Sequence, residues 1–217
     1  MRILEPEKLN EKYEKISSKK EKILANLNAK KITAVQRYLY TINSPIDCTD
    51  KAYKSNYNYF YKLKPIISGE FNDLYFELMK NATSEVDKEN VLVNKVVEIA
   101  DCIKKIAPEA KKKFYPSFST KLLHTINHNY PIYDSKVWYF FCNRKSTPEK
   151  DEFIDFYEKL VIEYKRVIEN KLLNPIIEYL DGNIGNDFKN INPVKKLDFI
   201  IWQYQKIVDD EVKKKSK

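Results

Sequence analysis

Residues 114–138 read FYPSFSTKLLHTINHNYPIYDSKVW, from Phe114 to Trp138, and contain both histidines of the chain, His124 and His128. Pro116 and Ser117 break whatever precedes them, and Ser119, Thr120 and Lys121 open a helix that turns Leu122, Leu123 and Ile126 inward. That helix is expected to end near His128 and Asn129, because Tyr130-Pro131 imposes an extended dipeptide. Asp134 or Ser135 then caps a further helix carrying Val137, Trp138, Phe140 and Phe141. The stretch therefore predicts a helix–turn–helix–loop–helix unit that presents an amine and a carboxylate at two neighbouring helix N-termini.

Outward from this unit the apolar spacing stays helical. A helix is predicted over 7–28, with Leu9, Tyr13, Ile16, Ile23, Leu24 and Leu27 as its stripe, and another over 31–42. Residues 45–65 read as an irregular, tyrosine-rich segment whose rings either cover a small core or stack on an unpaired base. Short and long helices follow over 71–80 and 84–106. Beyond Trp138, Ser146-Thr147-Pro148-Glu149 starts a helix with Phe153, Phe156, Tyr157, Leu160, Tyr164 and Val167 on one face. Residues 172–180 continue helically, and Asn192-Pro193 opens a terminal helix carrying Leu197, Ile200, Ile201, Tyr204, Ile207 and Val208. With only three glycines, and helices joined by Pro, Asn and Ser, the fold class is all-α. Neither a repeat nor a low-complexity linker interrupts the chain, so residues 1–217 are expected to form a single helical domain of two lobes around the central unit.

The formal net charge of +8 and a pI near 9.1 suit a polyanionic partner. Lysine is abundant throughout, however, with only Arg2, Arg37, Arg144 and Arg166 as arginines. Cys48, Cys102 and Cys142 are far apart, which excludes a Cys-x-x-Cys zinc site, a disulfide framework and a closely spaced iron–sulfur loop; no metal or cofactor is expected. Nothing approaches the ~18 apolar residues of a membrane span, and no signal-peptide core is present at the N-terminus, so a cytoplasmic protein is expected; the sequence leaves the oligomeric state open, with a monomer favoured.

The run from Tyr115 to Lys121, a helix, and then Pro131-Ile-Tyr-Asp-Ser-Lys-Val-Trp138 resembles the helix-hairpin-helix DNA glycosylase superfamily, the group of 8-oxoguanine glycosylase and endonuclease III. Its members carry a hairpin of the form Leu-Pro-Gly-Val-Gly-x-Lys, a helix, and Pro-Val-x-Asp-x-His-Val. Pro116 falls on the hairpin proline, Phe118 on its central apolar residue, Lys121 on the Schiff-base lysine of bifunctional members and Asp134 on the catalytic aspartate. The sequence departs from the pattern at both hairpin glycines, which are Ser117 and Ser119, and at the histidine after the aspartate, which is Lys136. The intervening helix is also shorter.

The resemblance implies a protein that excises a damaged or modified base from double-stranded DNA, in repair or in defence against modified phage DNA. Asp134 would stabilise the oxocarbenium-like sugar, and Lys121 would add lyase chemistry if its amine reached C1′. Ser117, Ser119, Thr120 and Lys136 would hold phosphates, and His124, Tyr133 and Trp138 would line the pocket for the extruded base. Each residue also has a plainer role: Asp134 as a helix cap, Lys121 as one more exposed lysine, His124 as a core histidine. The alternative function is a non-catalytic helical module that binds nucleic acid or a protein. Lys111, Lys112 and Lys113, just before the unit, are candidate phosphate partners. On duplex DNA, replacing all three by alanine is expected to flatten the plot of log affinity against log salt by about 0.9 for each phosphate no longer neutralised. An anisotropy titration with an unchanged slope would rule this patch out of binding.

Overall fold

The computed structural model describes residues 3–29, 33–46, 49–63, 69–82, 93–106, 115–146 and 148–215. These form twelve α-helices and no strand, so the chain is all-α. It divides into two compact units, one of residues 1–33 with 131–217 and the other of residues 34–130.

The first unit contains α1 (Pro6–Ser17), α2 (Lys20–Leu27), α8 (Ser135–Cys142), α9 (Lys150–Glu169), α10 (Asn174–Ile184), α11 (Asn186–Lys189) and α12 (Pro193–Lys215). Its hub is α12, which packs on α1, α2, α8 and α9. Asn192 accepts the Val194 amide at 2.8 Å, a cap followed by proline in the first turn. Every residue from Val194 to Ile201 is buried. The helix predicted over 7–28 is two helices instead, broken at Ser18 and Lys19. No apolar residue falls at either of these two positions, so a bend there costs little burial. Helix α8 buries Val137, Trp138, Phe140 and Phe141. It ends at Asn143 in the left-handed region at φ 53°, which asparagine tolerates well. Lys12 donates to the Phe140 carbonyl at 2.5 Å and lies over its ring, satisfying a carbonyl of the last turn. Burial pushes that ammonium down to about 8.

The second unit contains α3 (Ala34–Asn43), α4 (Lys51–Phe60), α5 (Gly69–Ala82), α6 (Val93–Ile106) and α7 (Pro116–Ile126). Residues 45–65, read as irregular, contain the regular helix α4, capped by Asp50 through the Ala52 amide. Tyr53, Tyr57 and Tyr61 recur every four residues and are all buried, so the tyrosines are a core stripe. Tyr57 and Tyr75 share a hydroxyl contact at 3.1 Å, and Tyr75 donates to the Phe118 carbonyl at 3.0 Å. Burial raises the pKa of both phenols, so they remain neutral donors. The N-terminal part of the helix predicted over 84–106 lies outside the described residues, as do Lys111, Lys112 and Lys113.

Ile200 is fully buried, whereas Ile162 on α9 is 67% exposed. In urea unfolding, Ile200→Ala is expected to cost about 2–5 kcal/mol and Ile162→Ala less than about 0.5 kcal/mol.

Candidate functional site

Asp134 sits at the mouth of α8. Its Oδ1 accepts the amides of Lys136 at 2.8 Å and Val137 at 2.9 Å, while its Oδ2 accepts no hydrogen bond from the described residues. The side chain is half-buried. The segment leading into it is held at both ends of one peptide: Tyr157 donates to the Pro131 carbonyl at 2.9 Å, and the Ile132 amide donates to Asp198 Oδ2 at 3.3 Å.

Asp198 is the centre of that anchoring. It is 4% exposed and accepts the Tyr164 hydroxyl on Oδ1 at 2.7 Å, with Lys195 Nζ 3.7 Å from Oδ2. Burial pushes the Asp198 carboxyl up to about 6, against Lys195, the Tyr164 hydroxyl and the Ile132 amide, and the negative charge of Asp134 adds to the rise. Burial lowers the pKa of Lys195, opposed by Asp198 and Asp134. Asp134, Asp198, Lys195 and Tyr164 are thus one electrostatic cluster on α8, α9 and α12. Lys195, Asp198 and Tyr164 were not singled out from the sequence. A signal exists: charged residues at 195 and 198 interrupt an otherwise apolar face of α12, and burying charges three apart requires that they meet.

Two further predicted site residues in this unit are buried core. Tyr133 and Trp138 are 4% and 1% exposed and pack edge-on with Phe153 and Phe156; the Trp138 Nε1 finds no acceptor among the described residues. They are an aromatic core behind Asp134, not the lining of an open pocket. Lys136, expected on a phosphate, donates to Asp209 at 2.7 Å and lies over the Trp202 ring, so a phosphate there must compete with a carboxylate.

The other candidates belong to the second unit. Pro116 is already in the first turn of α7, so the helix begins three residues before Ser119 and the segment after Pro116 is not a loop. Ser119 and Thr120 are fully buried, with their hydroxyls donating to the carbonyls of Tyr115 at 3.0 Å and Pro116 at 2.9 Å. The Phe118 and Ser119 amides bond to the Tyr115 carbonyl. These hydroxyls and amides, expected on a phosphate, are consumed inside the helix, because serine and threonine fold back onto a carbonyl one turn earlier. Ser117 is half-buried in the first turn. Lys121 donates to the Tyr61 carbonyl at 3.0 Å and lies over the Phe118 ring. His124 is fully buried. Its Nδ1 lies 2.7 Å from the Tyr130 carbonyl and so carries the hydrogen, leaving Nε2 to accept from Tyr38 at 3.0 Å. His124 is a satisfied core residue rather than part of a pocket. Lys121 and Asp134, predicted together, lie in different units.

Among the described residues no group of three His, Cys, Asp or Glu side chains could hold a metal, and no helix is long and apolar enough to cross a membrane. No protein-family model, curated protein or solved structure matches the chain.

Because the folded Asp198 holds its proton more tightly than an ordinary carboxyl, its contribution to stability is fully present below about pH 4 and is lost as pH rises through about 6. Asp198→Asn removes the titration. The stability of wild type relative to this variant, measured by urea unfolding, is expected to fall from pH 4 to pH 6.5; a difference that is flat with pH would contradict the burial of an ionisable Asp198.

Proposed function

We propose that the chain is a DNA glycosylase that uses Asp134 as its working carboxylate and water as its nucleophile. The observation that carries this reading is the state of Asp134: one oxygen is fixed by two helix amides and the other accepts no hydrogen bond from the described residues, on a backbone pinned through Asp198 and Tyr157. A carboxylate so placed can face positive charge developing at C1′ without reorganising. In the proposed step the C1′–N bond breaks with its electron pair going to the base. A water oxygen then bonds to C1′ and gives its proton to Asp134 Oδ2, which passes it on to the departed base anion, leaving a neutral free base and an abasic sugar. The resemblance of residues 115–138 to the helix-hairpin-helix glycosylases supplies the reaction class, in repair or in defence against modified phage DNA. The engagement of Lys121 with Tyr61 favours this hydrolytic route over a lysine Schiff base.

The second reading, a non-catalytic helical module binding nucleic acid or protein, is favoured by the same cap, since an aspartate accepting two first-turn amides already has a structural role, and by the inward-turned Ser119 and Thr120.

Asn and Ser both cap helices, so Asp134→Asn and Asp134→Ser separate capping from chemistry. On duplexes carrying oxidised, alkylated, deaminated or hypermodified bases, both variants are expected to keep the wild-type melting temperature within a few degrees and lose about 10²-fold or more in base release. Lys121→Met is expected to release base normally, and borohydride to trap no adduct with the wild type. Equal activity of wild type and Asp134→Asn on every substrate that reacts would leave the binding module as the surviving reading.

A further inference from the structure

Within the second unit, α4 and α5 border an open groove of about 770 Å³, inside the range of roughly 300–1,000 Å³ typical of small-molecule sites. Its walls are tied by Lys54 to Asp73 at 2.5 Å and by the Asn58 amino group to Asn72 Oδ1 at 2.6 Å. Every lining side chain among the described residues is polar or charged, including Lys51, Lys54, Lys80, Asp73 and Glu77. These residues offer no apolar wall to an apolar ligand and no aromatic face to a stacked base.

Asn58 borders the groove at 8% exposure, and its buried Oδ1 has no hydrogen-bond partner among the described residues. Leaving a buried acceptor unmet is costly, and a ligand hydroxyl reached by a turn of the amide offsets that cost. Two carboxylates of the same groove, Asp73 and Glu77, are acceptors only, and Asp73 already takes the Lys54 ammonium. The three lysines exceed them by one charge. Hydroxyl acceptors and ammonium groups side by side in one groove match a ligand that carries both hydroxyls and an anion.

We propose that the α4–α5 groove binds a ribose phosphate, with a ribose hydroxyl donating to Asn58 Oδ1 and the phosphate on Lys51 and Lys80. The ribose phosphate is either a free metabolite or part of an RNA strand, whose 2′-hydroxyl supplies the donor that DNA lacks. The site is independent of the Asp134 chemistry and does not rest on it.

The test titrates the full chain by calorimetry with ribose 5-phosphate, inorganic phosphate, and RNA and DNA hexamers of one sequence. Ribose 5-phosphate is expected to bind at least tenfold tighter than inorganic phosphate. RNA tighter than DNA with no binding of the free sugar phosphate would assign the strand as the source. Asn58→Leu should raise the melting temperature of the free protein and weaken the ligand about tenfold, and the exposed-site variant Lys51→Met should weaken it without altering the fold. The proposal is overturned if ribose 5-phosphate binds no better than phosphate and RNA no better than DNA, or if both variants bind as wild type.

Discussion

A carboxylate removed from water at Asp198 has to be met by donors, and the donors that meet it come from three parts of one unit. The Tyr164 hydroxyl comes from α9, Lys195 from the preceding turn of α12, and the Ile132 amide from the segment before α8. Burying such a group is expensive unless it is hydrogen-bonded and paired, so the placement of these elements relative to one another is strongly specified. Ile132 is two residues from Asp134. The energetic need of a buried charge on α12 therefore becomes the positional precision of a half-exposed charge on α8.

Around this polar centre the remaining packing is largely aromatic. Tyr133, Trp138, Phe153 and Phe156 pack edge to face, an arrangement that adds direction to apolar burial. In the other unit Tyr53, Tyr57, Tyr75 and Phe76 play the same part, with the Tyr57 and Tyr75 hydroxyls satisfied by one another and by the start of α7. A chain with so few glycines and so many tyrosines can close helical cores in this way because a phenol brings both apolar area and its own donor.

Much of the fold is legible in the sequence for simple reasons. Helices α9 and α12 show long stretches of 3.6-residue spacing, Asn192-Pro193 announces α12 and Asp134 announces α8, whereas α9 begins only at Lys150, with Pro148 and Glu149 ahead of its first turn. What misled was local chemistry with two readings. Tyrosines four apart at 53, 57 and 61 suit a buried helical face as well as a stacking platform, and the alternation of Tyr57, Tyr59 and Tyr61 hides the period. Pro116 suits the first turn of a helix as well as a turn before one. At the candidate site, Asp134 is readable as the cap of α8, because a short acidic side chain between a loop and an apolar helix accepts first-turn amides. The cluster of Lys195, Asp198 and Tyr164 is not readable, because residues far apart in sequence meet only in the folded unit.

The central claim is that the Asp134 carboxylate faces a cationic sugar. A duplex containing a pyrrolidine abasic nucleotide, which is positively charged at the position of the oxocarbenium carbon, mimics that state, and a neutral tetrahydrofuran analogue in the same duplex does not. The most direct measurement is the ratio of their dissociation constants for wild type and for Asp134→Asn. The account predicts a preference for the cation of about 10²-fold or more in wild type that collapses in the variant. Equal binding of the two duplexes by the wild type, or a preference that survives in Asp134→Asn, would contradict it.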